Sequence, residues 1–437
     1  MSLISSTWSR LVRRGNMRHL IMTLGGQIGL TALNLATGIV TARMLGPDGR
    51  GVYAAVTLWP MLIATFGVAG TGNALIYASS QESNSRRAVA IQTALIVLAQ
   101  TAIVSLIASA LIPLTMQHYE RSALLLSFLM IPLAFSNAAH MLFKNLFVAR
   151  GDFSSFNFAT ILPQILFLPA LCLFLYVAPT ARNAILSLFS ASLLGTILIL
   201  PLVRKTWPPK DSKLGPKIGK LFSFSLRAAP ADLSAGLAGF ADKLVLVPLV
   251  SAEALGIYTV TFSFSRLIMI PSALLSTLMY SRMLGGDHQH AKAIHDLVFR
   301  AGVVLMAVTL LFLLLVDRLA LTIVYGPAFG AAVIVFRILA LEAAISLLSQ
   351  ITSQLFVAVG RPGLTSALQG LYTLGYVLGI AVFAPIYGLT GAAAVLAACS
   401  LLRCAALLML IPRVLSMPVG RLYPTPGDIK RLLGGLR

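Results

Sequence analysis

Long apolar segments alternate with short polar ones along almost the whole chain. An α-helix needs about 20 mostly apolar residues to cross the hydrocarbon core of a bilayer, and each of these segments reaches that length. Twelve spans are predicted on this basis, at residues 19–43, 52–78, 88–114, 122–148, 155–178, 183–203, 221–250, 256–280, 297–316, 329–358, 364–386 and 389–412. The pattern therefore predicts an all-α polytopic membrane protein with about twelve transmembrane helices.

The position of the charges predicts the orientation in the membrane. Only 11% of the 437 residues are charged, against about 25% in soluble proteins, so the net charge of +20 does not indicate nucleic-acid binding. Twenty-one of the 33 Lys and Arg residues lie in the two tails and in alternate connections, and five lie in the remaining connections. Because Lys and Arg concentrate on the cytoplasmic side, both termini are predicted to be cytoplasmic.

One hydrophilic connection, residues 204–220, divides the chain near its midpoint. It is basic and rich in proline, which is typical of a cytoplasmic linker held near anionic lipid headgroups. We therefore expect an N-terminal six-helix lobe at 1–203, a C-terminal six-helix lobe at 221–412, and a basic cytoplasmic tail at 413–437.

Two short motifs recur in both halves. GPDGRGVYAAVT at 46–57 matches SAEALGIYTVTF at 251–262, and LFVARGDF at 146–153 matches LFVAVGRP at 355–362. A repeat of six spans is even, so both copies enter the membrane in the same orientation. The repeat predicts two pseudo-symmetric lobes related by an axis along the membrane normal, with a central cavity between them.

The seventh span, residues 221–250, contains Arg227, Asp232, Asp242 and Lys243. A charge at the centre of a helix costs about 2.5 to 3.5 kcal/mol of insertion free energy, so these side chains should face a bundle interior or a watery cavity. Asp232 and Lys243 are eleven residues apart, which places them within about 20° on the helix surface and predicts one shared cavity. Alternatively, Arg227 and Lys243 snorkel to the two membrane interfaces.

Basic residues outnumber acidic ones inside the predicted spans. The spans contain seven basic and three acidic residues. The basic ones are Lys144, Arg227, Lys243, Arg266, Arg300, Arg337 and Arg403, and the acidic ones are Asp232, Asp242 and Glu342. If half of them face the central cavity, that cavity is cationic and favours an anionic substrate such as a phosphate or a carboxylate. Alternatively, some of these charges pair internally, for example Arg337 with Glu342 or Lys243 with a facing acid.

Other chemistry is not expected. The segment DHQHAKAIHD at 287–296 favours a solvated loop over a metal site, and no cysteine pair has metal-ligand or disulfide spacing. The glycines of GVAGTG at 67–72 lie inside an apolar helix with no strand before them, so they indicate no dinucleotide site. We expect no cofactor, no metal and no enzymatic activity, because no exposed loop is long enough to assemble a soluble active site.

Four segments resemble polysaccharide-biosynthesis flippases, the Wzx-like members of the multidrug/oligosaccharidyl-lipid/polysaccharide exporter (MOP) superfamily. They are RMLGPDGRGVYAAVTLW (43–59), FGVAGTGNALIYAS (66–79), ADKLVLVPLVSAEALGIY (241–258) and TIVYGPAFGAAVIVFRILAL (322–341). The resemblance implies a V-shaped transporter of twelve helices in the cell inner membrane. It would move an undecaprenyl-diphosphate-linked oligosaccharide to the periplasmic leaflet, for lipopolysaccharide or exopolysaccharide assembly.

The resemblance also implies roles for particular residues. Basic residues of the lumen would attract the diphosphate, with Arg227, Lys243 and Arg266 as the first candidates and Asp232 and Asp242 as their partners or as proton sites. Lys144 and Arg337 complete the predicted substrate-binding set. The implied partners are the lipid-linked oligosaccharide, membrane lipids and the polysaccharide polymerase machinery.

Two other functions compete with this hypothesis. A multidrug or cation antiporter of the same superfamily typically has a carboxylate in its first lobe, but the predicted spans of the first half contain no Asp or Glu. A membrane-embedded glycan polymerase or ligase usually has a long periplasmic loop. The longest predicted outside loop, about 317–328, is short.

Overall fold

The structure is a computed structural model that describes residues 14–81, 85–207, 218–269 and 288–416, with single positions at 279, 283, 418, 420 and 423. The described residues are helical apart from short turns. The helices are α1 (Arg14–Gly67), α2 (Thr71–Gln81), α3 (Arg86–Thr115), α4 (Arg121–Leu129), α5 (Ile131–Ala149), α6 (Phe153–Val177), α7 (Ala181–Leu198), α8 (Leu200–Thr206), α9 (Ile218–Leu246), α10 (Ala252–Ser265), α11 (His288–Ala320), α12 (Val333–Ala358) and α13 (Pro362–Leu415). Short 3₁₀ and π turns follow α10 and α11.

Within the described residues, eight helical segments are long and apolar enough to cross a membrane. They cover Gly29–Gln81, Arg86–Thr115, Arg121–Ala149, Phe153–Val177, Ala181–Thr206, His288–Tyr325, Pro327–Ala358 and Pro362–Val414. Large apolar side chains such as Leu106, Leu315 and Leu402 are more than two-thirds exposed on their surfaces. Such a surface is stable in lipid rather than in water, and the chain is a multi-pass membrane protein.

The two longest helices, α1 and α13, each bend sharply at a glycine. Gly46 has φ 66° and precedes Pro47, and Gly388 has φ 61°. Positive φ is readily adopted only by glycine, so the chain can reverse at these two points. Both glycines lie in connections between predicted spans, 44–51 and 387–388.

The fourth and tenth predicted spans end in the same turn. Gly151 has φ 71° and Gly360 has φ 77°. After each glycine, the N–H of the next residue donates to a carbonyl five residues back, at 2.9 Å for Asp152 and 2.8 Å for Arg361. This is the pattern of a Schellman C-cap. Both copies of the repeated LFVA motif thus end in the same type of turn.

The two halves pack most tightly where α1 crosses α10. A Cβ on Gly51 would lie 1.7 Å from the carbonyl oxygen of Ala252, and a Cβ on Gly256 would lie 1.8 Å from that of Pro47. Gly51 and Gly256 occupy equivalent positions of the sequence repeat, and so do Pro47 and Ala252. The reciprocal contacts have the two-fold relation that the repeat predicts.

Candidate functional site

Charged side chains from four helical regions meet in the second half of the chain. Three of the seven predicted site residues lie there, together with two charged residues that the predicted set did not include. The group comprises Asp242, Lys243, Arg266, Glu342 and Arg403, and we call it the C-terminal charge cluster. It draws on α9, the turn after α10, α12 and the second part of α13.

The ring of Phe262 brings two cations of the cluster together. Lys243 Nζ lies 4.5 Å from the ring centroid and Arg266 Cζ lies 4.2 Å from it. Both distances are within the range of cation–π attraction. Arg266 directly follows the last residue of α10, where the helix dipole also favours a positive charge.

Each of these two cations, Lys243 and Arg266, forms an ion pair with a buried carboxylate. Lys243 Nζ is 3.3 Å from Asp242 Oδ2, and Arg266 Nη2 is 2.6 Å from Glu342 Oε2. The contact between Arg266 and Glu342 is an ion pair without a well-aligned hydrogen bond, since Oε2 of Glu342 accepts none among the described residues. The carboxylate side chains are 5% and 0% exposed, whereas the cations are 22% and 28% exposed. The accessible side of these pairs is therefore positive.

Hydroxyl groups hold both carboxylates in place. Tyr258 Oη donates to Asp242 Oδ2 at 2.8 Å. Ser346 and Ser400 each donate to Glu342 Oε1 at 2.7 Å. A buried carboxylate is stable only with such partners, so the hydroxyls fix the positions of the two acids and thereby of the cations paired with them.

Arg403 joins the cluster through an aromatic ring. Its Cζ lies 5.5 Å from the centroid of Tyr372, and Ser400 Oγ lies 3.3 Å from Tyr372 Oη. Among the described residues, Nε of Arg403 is buried without a hydrogen-bond partner. Among the described residues the ion pairs of the cluster join its carboxylates to Lys243 and Arg266, and Arg403 has no carboxylate within ion-pair distance.

Arg337 lies apart from the cluster. Its Nε is 2.6 Å from Asp317 Oδ2, and its side chain is 54% exposed. The internal pair of Arg337 with Glu342 that the sequence left open is therefore wrong, because Glu342 pairs with Arg266. The sequence identified each of these charges, but their partners lie on other helices and cannot be assigned from spacing along one helix.

Asp232 bonds to the first half of the chain. Its Oδ2 accepts from the N–H of Gly70 at 2.9 Å, and the amide of Asn73 lies 3.3 Å from both carboxylate oxygens. Gly70 has φ 75°, and a Cβ there would lie 2.0 Å from the carbonyl oxygen of Ser225. Asp232 thus contacts the α1–α2 turn, whereas Lys243, its predicted neighbour in one cavity, contacts Asp242 and Phe262.

An aromatic pair extends this contact between the halves. The rings of Tyr77 on α2 and Phe224 on α9 stack with centroids 4.7 Å apart and planes 10° apart. We call Gly70, Asn73, Tyr77, Phe224 and Asp232 the interlobe contact. Its members lie on α2, on α9 and in the turn before α2.

Arg227 and Lys144 make separate local contacts. Arg227 is exposed and donates to the carbonyl and the hydroxyl of Ser223, one turn earlier in α9. Lys144 Nζ lies 5.7 Å from the ring centroid of Phe156. In the described part of the chain neither cation forms an ion pair.

The predicted loop at 287–296 is wrong for the residues from His288 onwards. They form the start of α11, and His295 is buried, with Nδ1 3.1 Å from Asp296 Oδ1 and Nε2 3.4 Å from Thr352 Oγ1. Among the described residues no three His, Cys, Asp or Glu side chains could hold a metal ion together.

The chain is similar to known proteins in sequence and in fold. A family model described as polysaccharide biosynthesis protein matches residues 17–281. No curated protein sequence matches the chain. Among solved structures, the lipid II flippase MurJ in an inward closed conformation is similar, with TM-score 0.75 and 12% identity over 95% of this chain and 91% of that one.

Two further structures have the same fold. One is a multidrug resistance MATE family transporter of the MOP superfamily in an inward-facing conformation, with TM-score 0.72 and 14% identity over 89% of this chain and 94% of that one. The other is a MOP superfamily transporter from Pyrococcus furiosus, described as having a binding pocket of reverse polarity, with TM-score 0.58 and 15% identity over 91% and 94%. At these identities the similarity shows the fold alone.

Proposed function

The chain belongs to the polysaccharide biosynthesis protein family, and from this premise we propose that it is a flippase for a lipid-linked oligosaccharide. Its substrate is an oligosaccharide on undecaprenyl diphosphate, which it moves from the cytoplasmic to the periplasmic leaflet of the inner membrane for surface polysaccharide assembly. The protein performs no covalent chemistry and uses no cofactor. The polysaccharide polymerase machinery acts on the product.

The C-terminal charge cluster is the observation that carries this proposal. Its two carboxylates are buried, whereas Lys243 and Arg266 are partly exposed, so the accessible charge is positive and attracts anions. A diphosphate offers several oxygens to a guanidinium and an ammonium group, which bind it in different ways, Arg as a fork and Lys as a point charge. Lys243 and Arg266 are therefore the primary headgroup contacts, with Asp242 as the partner that orients Lys243.

The proposed architecture has twelve spans in two six-helix lobes. The bends at Gly46 and Gly388 raise the eight apolar segments to ten spans, because each divides a helix of 54 residues in two. Helix α9 and the predicted span at 256–280 bring the proposed total to twelve. The lobes are residues 1–203 and 221–412, joined by the basic linker 204–220, and the tail is 413–437. The distribution of Lys and Arg supports cytoplasmic termini.

The contacts between the two halves support a mechanism of alternating access. The Gly51–Gly256 crossing lies toward the periplasmic end in this topology, and the interlobe contact lies toward the cytoplasmic end. Opening the interlobe contact admits the headgroup to the cationic site. Opening the glycine crossing, with the interlobe contact closed, releases it outside.

A multidrug or cation antiporter is the alternative that the MATE-like fold favours. The buried carboxylates of Asp242 and Glu342 are the groups that would bind a cationic substrate. Both already have a cation of the chain within 3.3 Å. A cationic drug would have to displace these, which argues for the flippase.

Substitution of Lys243 and Arg266, the two cations that contact the ring of Phe262, tests the proposal in cells. Lys243→Ala and Arg266→Ala should lower surface glycan and accumulate lipid-linked precursor in the inner leaflet, measured at matched membrane abundance. Arg182→Ala is the control, because Arg182 is an exposed residue at the start of α7. Normal glycan display in both cluster variants would contradict the proposed site.

A further inference from the structure

We infer that Arg403 is a third anion-binding residue of the C-terminal charge cluster, beside Lys243 and Arg266, and takes a phosphate oxygen of the substrate headgroup. The inference rests on the proposed function and deepens it, because it adds a residue of α13 to the proposed diphosphate contacts. Arg403 lies inside a predicted span, and the sequence alone indicates no role for it.

The balance of charge within the cluster is the first reason. Lys243 and Arg266 are each matched by a carboxylate, at 3.3 Å and 2.6 Å. Arg403 is the third cation, and among the described residues it has no carboxylate of its own within ion-pair distance. The cluster thus has one positive charge in excess. In a membrane such a charge is unfavourable unless water or an anion compensates it.

The unpaired Nε donor of Arg403 is the second reason. A guanidinium group carries five N–H donors, and the contact of this one with Tyr372 is a cation–π contact, with Cζ 5.5 Å from the ring centroid. Among the described residues its buried Nε has no hydrogen-bond partner. Buried donors are nearly always satisfied in native proteins, by protein groups or by water, so this donor is a position at which a phosphate oxygen can replace water as the acceptor.

The connection between Arg403 and Glu342 is the third reason. Ser400 Oγ lies 3.3 Å from Tyr372 Oη and donates to Glu342 at 2.7 Å, and Glu342 pairs with Arg266. Tyr372 and Ser400 thus hold Arg403 in a network that also positions the second arginine. A diphosphate has two phosphoryl groups and is the anion best suited to contact more than one cation of such a network.

The rival explanation is that Arg403 only neutralises Glu342. Glu342 already has Arg266 as its cation and two serine hydroxyls as donors. A purely neutralising Arg403 also predicts that removing both charges together restores binding. An anion-binding Arg403 predicts that the double variant stays defective.

The test measures binding of two probes to the full-length protein in lipid nanodiscs. The probes are farnesyl diphosphate, which has a prenyl chain, and inorganic pyrophosphate, which does not. We expect Arg403→Ala to weaken farnesyl diphosphate binding at least tenfold and Arg182→Ala to leave it unchanged. Arg403→Gln keeps a polar side chain of similar length and gives the same result if the alanine variant does not fold.

Three outcomes overturn the inference. They are an unchanged affinity in a folded Arg403 variant, a wild-type protein that binds neither probe, and recovery of affinity in Arg403→Gln with Glu342→Gln. If pyrophosphate binds as tightly as farnesyl diphosphate and both depend on Arg403, the inference stands and the diphosphate alone is recognised. Tighter binding of the prenyl probe adds recognition of the lipid.

This inference and the proposed function can fail separately. If the wild-type protein binds farnesyl diphosphate through Arg403 but moves no lipid-linked glycan in proteoliposomes, the flippase proposal fails and the anion site stands. If the wild-type protein moves the glycan and Arg403→Ala binds the probe normally, the flippase stands and the role of Arg403 is wrong.

Discussion

Glu342 is fully buried and contacts an arginine and two serines from its own and neighbouring helices. A carboxylate in such a position is stable because its partners replace the water that it lost on burial. Removal of one partner leaves the other charge uncompensated. Mutations in this cluster therefore change folding as well as binding, and the two effects must be measured separately.

Arg266→Ala leaves Glu342 without its cation. We predict a loss of stability of about 3 kcal/mol, in the range for breaking a buried ion pair, and a lower membrane abundance. Arg266→Ala with Glu342→Gln should recover the abundance and still fail to export glycan. The measurement is immunoblot abundance and thermal unfolding of the detergent-purified variants. Full export by the abundant double variant would show that Arg266 serves only to balance Glu342.

The charged residues of the site were predictable, but their pairing was not. Sequence analysis identified Arg266 and Glu342 as costly charges inside spans, because hydropathy shows them directly. It did not find their pairing, since that depends on which faces of α12 and the end of α10 meet. The predicted cationic excess is reduced by one charge, because Arg337 pairs with Asp317, which lies just outside the predicted spans.

Among the helices, the crossing of α1 and α10 depends on the absence of two side chains. Glycine at positions 51 and 256 lets the backbones approach so closely that a Cβ would overlap a carbonyl oxygen of the opposite helix. Close backbone approach at small residues is a common way for membrane helices to associate. The crossing is thus a specific closed contact between the halves.

Gly51→Ala should force α1 and α10 apart. The added methyl group would lie 1.7 Å from a backbone oxygen, which cannot move away as a flexible side chain could. We predict loss of transport and increased labelling, from outside, of a cysteine introduced at Ala252. Gly239→Ala is the matched control, because no atom lies within 4 Å of its added Cβ. Equal labelling in the two variants would contradict a closing role for the crossing.

The interlobe contact can be locked chemically. The rings of Tyr77 and Phe224 are 4.7 Å apart, so cysteines at both positions should form a disulfide under mild oxidation. In a background without Cys172, Cys399 and Cys404, oxidation should stop transport and reduction should restore it. Each single cysteine variant is the control. Transport that continues with the disulfide formed would show that this contact need not open.

The repeated turns were predictable from sequence because they depend on local chemistry. Gly151 and Gly360 each follow the tetrapeptide LFVA and one further residue, and they form caps of the same type. The partner of Asp232 was not predictable. Helical spacing placed Asp232 on the face of Lys243, but its bond to Gly70 arises from packing of the two halves, which no single helix encodes.

At the scale of the whole molecule, the chain has one all-helical fold shared with MOP superfamily transporters at 12 to 15% identity. Hydropathy was sufficient to predict a polytopic helical protein, because a helix satisfies its backbone groups within one segment and so crosses lipid as a continuous apolar run of about 20 residues. The number and orientation of the spans depend further on where the chain turns and on which side its basic residues lie.

Cysteine labelling tests the proposed orientation. A cysteine at Asp48, in the connection that follows Gly46, should react with an impermeant thiol reagent added outside the cell. A cysteine at Lys213, in the basic linker, should react only after the membrane is permeabilised. The opposite labelling would place the termini outside and would exchange the cytoplasmic and periplasmic contacts.

We propose that the protein flips a lipid-linked glycan and that the C-terminal charge cluster is its headgroup site. The most direct measurement is the rate at which the purified protein, in proteoliposomes, moves a fluorescent oligosaccharide on a prenyl diphosphate between leaflets. We predict translocation by the wild-type protein and by Arg182→Ala, and a rate at least tenfold lower for Lys243→Ala. Translocation of a cationic dye with no movement of the glycan, or an unchanged rate in Lys243→Ala, would contradict it.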